Sequence, residues 1–153
     1  MGLESAKSNK KISMFLAFLL SSITGIIGII LWFTIRETLM VLITVSSINV
    51  WSHSAIDNFS FLLLGIGWLV LVYFSHYFYQ KGYRKGRMLA NFALLTSIQV
   101  FLFLLCKVMM IISGFSTGTG QIMIAVIEGL VGIGLLMYGI RSKAVSTGKS
   151  ITS

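Results

Sequence analysis

Long apolar stretches alternate with short polar ones along this chain, and the lengths of the apolar stretches decide what it can form. Four runs are long: residues 12–35, 59–79, 88–113 and 121–140. Each has about 20 residues or more, and as a helix would cover the ~30 Å of a bilayer's hydrocarbon core. Backbone groups left unpaired in hydrocarbon are too costly for open strands or irregular chain, so helices are predicted. The chain has no proline, which removes the usual cause of a sharp kink. The pattern predicts an all-α membrane protein, a four-transmembrane-helix bundle over 12–140. Short polar tails at 1–11 and 141–153 are expected to be disordered or to lie on the membrane surface.

The three connections differ. Residues 80–87 are short and strongly basic, whereas residues 114–120 read GFSTGTG and carry no charge. The stretch 36–58 contains an apolar run, 38–45, too short to cross. It is expected to form a short interfacial segment in the first outer loop, anchored by Trp51, or to dip into the membrane as a re-entrant piece.

Composition sharpens this picture. Apolar residues make up 56% of the chain and charged residues 10%, against roughly 25% charged in a soluble domain. So few charges cannot cover a soluble fold of 153 residues. The net charge of +8 would suit a nucleic-acid partner, but its placement argues against one. Ten of the twelve basic residues sit beside the apolar runs: Lys7, Lys10 and Lys11; Lys81, Arg84, Lys85 and Arg87; Arg141, Lys143 and Lys149. Such clusters fix orientation, so both termini and the basic connection are expected inside, in the cell membrane. They also favour anionic headgroups of the cytoplasmic leaflet, by about 1 kcal/mol per residue near the surface. The first run is too long for a signal-peptide core and reads as an uncleaved anchor.

Small and polar positions mark helix faces that pack on protein rather than lipid. In the third run Asn91, Gln99, Cys106 and Ser113 form one stripe, with Leu94, Phe101, Leu104, Leu105, Val108 and Ile112 opposite. In the second, Phe61, Gly65, Trp68, Val72, His76 and Tyr79 share a stripe. Ser21, Gly25 and Gly28 in the first run, and Ala125, Gly129 and Gly132 in the fourth, let backbones approach closely. They suit contact within the bundle, or with a second copy or a foreign subunit.

Two charges lie inside predicted spans, Lys107 and Glu128. Charges there are costly and are functional suspects. Counted from the middle of the 114–120 connection, the two fall at similar depth. Three readings are open: an ion pair fixing the register of the last two helices, a proton- or substrate-coupling site, or a lysine that snorkels to the headgroups. His53 and His76 are too far apart on one helix to share an iron. His53 and Asp57 could touch at i, i+4, but a cap by Ser54 or Asp57 at the start of the second helix is the simpler reading. His76, Tyr77 and Tyr79 with Lys81, Arg84, Lys85 and Arg87 form an inner rim for lipid or a partner.

No HExxH, CxxC, phosphate loop or nucleophile motif is present, so no catalytic residue, metal or cofactor is expected. The lone Cys106 makes no intramolecular disulfide. The leading expectation is a non-enzymatic accessory or stabilising subunit of a larger membrane complex, docking through the glycine-lined first and fourth spans and the basic rim. Next comes a small ion-coupled transporter using Glu128 and Lys107, as a homo-oligomer. A membrane redox or enzyme subunit sharing a cofactor with a partner is third.

Overall fold

The computed structural model of the chain describes residues 2–46, 49–114 and 118–148, with side-chain surroundings for all of these except 2–10, 50, 84 and 145–148. It is all-helical: α1 (Gly2–Val45), α2 (Val50–Arg84), α3 (Met88–Ile112) and α4 (Thr119–Gly148). Each of the four contains a stretch long and apolar enough to cross a membrane.

The first connection differs most from the sequence reading. Residues 38–45 are not a separate segment but the last turns of α1, which runs for 44 residues. The reason is local. From Ile29 to Val45 there is no glycine or proline to stop the helix, and Leu, Met, Arg and Glu are strong helix formers. What remains is a short turn, of which Ser47 and Ile48 lie outside the described residues. The start of α2 moves with it. Asn49 caps the helix, its side chain accepting from the Trp51 N–H at 3.3 Å, so the start expected from Ser54 or Asp57 falls too late. At the other ends, α1 takes in residues 2–11 and α4 runs past 140 to Gly148. Lys149 and the middle of the last connection lie outside the described residues.

The basic turn between α2 and α3 is tightly built. The Gly86 N–H bonds to the Tyr83 carbonyl at 3.0 Å and the Arg87 N–H to the Gly82 carbonyl at 2.8 Å. Gly86 has φ +64°, a left-handed conformation that costs any other residue a clash with its own Cβ. Arg87 then opens α3 directly.

Packing follows the hairpins. Helices α1, α2 and α3 all touch one another, whereas among the described residues α4 touches α3 alone. The molecule is therefore a three-helix cluster with a fourth helix laid against one side of α3. This changes the role of α3's apolar face. Leu94, Phe101 and Leu104, on the side opposite the polar stripe, meet the glycine face of α4: Gly139, Gly132 and Gly129 respectively. They are packing residues, while Leu105, Val108 and Ile112 are exposed. The closest approach is at Gly139, where an added Cβ would lie 2.6 Å from Leu94 Cγ.

Candidate functional site

The polar residues of the three-helix cluster converge on Thr24 of α1. Its hydroxyl donates to the Leu20 carbonyl at 3.0 Å and accepts from the Tyr79 hydroxyl of α2 at 2.7 Å. Its carbonyl accepts from the Gln99 side chain of α3 at 3.1 Å. One threonine thus ties three helices together. Around it, Ser21 bonds Ser75 at 3.1 Å and the Trp68 indole donates to the Gly25 carbonyl at 3.0 Å. A Cβ on Gly28 would meet Trp68 and Gln99, so Ser21, Gly25 and Gly28 face α2 and α3. Ala125, Gly129 and Gly132 face α3 in the same way. The small-residue faces are filled from within the chain.

The α3 stripe divides. Asn91 donates to the Phe78 carbonyl at 3.1 Å, Gln99 is 1% exposed, and Cys106 is buried beside Thr38 of α1. Ser113 does not reach across; its hydroxyl returns to the Met109 carbonyl of its own helix. The basic rim divides too. Tyr77, Lys81 and Lys85 are exposed, Lys81 sits 5.9 Å over the Tyr77 ring, and half-buried His76 bonds Gln80 at 3.0 Å. The Arg84 side chain lies outside the described residues. Tyr79 is a correction: at 0% exposed it belongs to the core, because its ring lies on the α1-facing stripe with Trp68 and Val72 rather than on the aromatic rim.

Two charge pairs cross the two hairpins. Lys107 Nζ lies 2.6 Å from Glu128 Oε1, with side chains 22% and 27% exposed. The second Glu128 oxygen is buried with no hydrogen-bond partner. In the other hairpin, Arg36 holds Asp57 through two bonds, Nε to Oδ1 at 2.7 Å and Nη2 to Oδ2 at 2.8 Å. Its guanidinium also stands 5.5 Å from the Phe61 ring centroid. The sequence reading puts Arg36 in the 36–58 connection and makes Asp57 a cap or a contact of His53; the continuation of α1 gives Arg36 to Asp57 instead. His53 Nε2 is left buried without a partner.

In both pairs the cation is on the first helix of the hairpin, the acid is on the second, and they are 21 residues apart. The sequence signal was available, since Arg36 and Asp57 are equidistant from the turn after Val45 just as Lys107 and Glu128 are from the 114–120 connection. Helices α1 and α3 run parallel, with Thr24 beside Gln99 and Thr38 beside Cys106. The two pairs therefore form one charged layer near the hairpin tips, far from the basic end. Among the described residues no three or more of His, Cys, Asp and Glu are grouped to hold a metal ion. Comparison with protein-family models, curated proteins and solved structures finds no match to this chain.

Proposed function

We propose that this chain is a non-enzymatic multi-pass protein of the cell membrane that stabilises a larger membrane complex as a small accessory subunit. In this reading both termini and the 80–87 turn are cytoplasmic, where the exposed Lys81 and Lys85 meet anionic headgroups. The observation that carries it is the one-sided attachment of α4. Touching α3 alone, it leaves the flanks of α3 open and long apolar faces of α2 and α4 uncovered, among them Leu62, Ile66 and Leu69, and Ile127, Leu130 and Met137. The polar groups around Thr24, by contrast, point into the cluster, where Ser21 bonds Ser75 and Thr24 bonds Tyr79 and Gln99. Because the glycine faces of α1 and α4 are occupied internally, docking falls to these outward faces and to the basic rim rather than to the small-residue stripes.

The test is extraction in mild detergent followed by native mass spectrometry. A stoichiometric assembly with a larger membrane protein is expected, and loss of this chain should lower that protein's abundance. Recovery of a lone monomer with no such dependence rejects the reading. A second reading, an ion-coupled carrier, is favoured by one observation: the unpartnered oxygen of Glu128 beside Lys107. It requires pH-dependent transport by reconstituted protein that Glu128→Gln abolishes.

A further inference from the structure

The charged layer near the hairpin tips has one member without a partner. Arg36 is held by Asp57, and Lys107 by Glu128. Glu37, next to Arg36, is exposed and makes no ion pair among the described residues. Helix neighbours offer it none, since the positions one turn away are Phe33, Thr34, Met40 and Val41. The layer therefore sums to one negative charge, and Glu37 carries it.

That carboxylate opens onto a groove of about 430 Å³ between α1 and α3, within the size range of small-molecule sites. Its other walls are Phe33, Arg36, Met40, Val41 and Met110. Lys107 stands one turn before Met110 on the same flank of α3. An aromatic ring attracts a cation to its face, and the two methionine thioethers are polarisable and adapt to an apolar body. Arg36 is no competitor for the carboxylate, because its guanidinium is already bonded twice to Asp57.

We propose that this groove binds an amphiphilic organic cation, its charge set against Glu37 and its apolar body against Phe33, Met40 and Met110. The site lies apart from the α2 and α4 faces assigned to docking and stands whether or not the chain is a subunit. A free cation is favoured over a lipid headgroup because the walls offer apolar and aromatic surface around a single anion, with no uncommitted cation to take a phosphate.

The probe is radiolabelled tetraphenylphosphonium, measured by equilibrium binding to the full chain in phosphatidylcholine nanodiscs. Saturable binding at one site is expected. Glu37→Gln should weaken it by at least about tenfold, the loss of one charge contact, and Glu37→Asp should retain most of it. Val41→Phe, which fills the groove without changing charge, should abolish it. Tetraphenylborate, of the same shape and opposite charge, should not compete. All three substituted proteins are checked for the unsubstituted elution volume, as expected for exposed or groove-lining positions. Unchanged binding in Glu37→Gln, or competition by tetraphenylborate, overturns the proposal. So does displacement on titrating in phosphatidylethanolamine, which assigns the groove to a lipid amine.

Discussion

A lysine and a glutamate lie 2.6 Å apart between two apolar helices, and each is costly there without the other. Removing one partner leaves the other desolvated and uncompensated. Lys107→Ala and Glu128→Ala should each cost about 2 kcal/mol, less than for a fully buried pair because both groups keep some exposure. Exchanging the two residues should recover more than half of that loss, as read from denaturant unfolding in detergent micelles. An exchanged protein no more stable than either alanine variant would remove the pair from the account of α4. That the two lie at similar depth was legible in the sequence, because both residues count from the same connection. Arg36 and Asp57 obey the same count, yet were missed. Their turn could be located only once 38–45 was known to be helix, and the shortness of that apolar run drew the eye from the lack of any helix stop between Ile29 and Val45. Thr24 was missed for a different reason: a threonine in an apolar run is unremarkable until its two distant partners are brought to it from 55 and 75 residues away.

Helix by helix, apolar length told nearly everything about number and type, and little about where helices end. Nothing in the residues around 35 or 140 stops a helix, so α1 continues to Val45 and α4 to Gly148. The contact face of α4 was partly legible. Ala125 and Gly132 are seven apart, and a further seven reaches Gly139, the tightest contact with α3. Extending that heptad would have found it. A side chain at Gly139 must displace Leu94 and the Ala90 carbonyl. Gly139→Val is therefore expected to cost about 1–3 kcal/mol through overpacking and to loosen α4 selectively. Protease cleavage in the 114–120 connection should accelerate while the α2–α3 turn, locked at Gly86, keeps its resistance. Equal acceleration at both sites would mean that α4 is not a separately attached element.

For the molecule as a whole, the separation of charge is the dominant feature. Among the described residues nine cations, Lys7 to Lys11, Lys81 to Arg87, Arg141 and Lys143, stand at the end that carries the α2–α3 turn, while the opposite layer is balanced but for Glu37. Such asymmetry orients a chain in a membrane. Single cysteines placed at Lys85, Lys143 and Asn49, with Cys106 replaced by alanine, test it in intact cells. An impermeant maleimide is expected to label only the Asn49 position; labelling at Lys85 or Lys143 would reverse the orientation. That α4 leans on α3 alone also bears on how the polypeptide is made. Synthesis delivers α1, α2 and α3 first, and the bonds at Thr24 that join them need nothing from α4. Lys107 then has no counter-charge until Glu128 is made. The final helix is thus expected to act as a latch, its own acid completing the charge balance that the first three helices leave open.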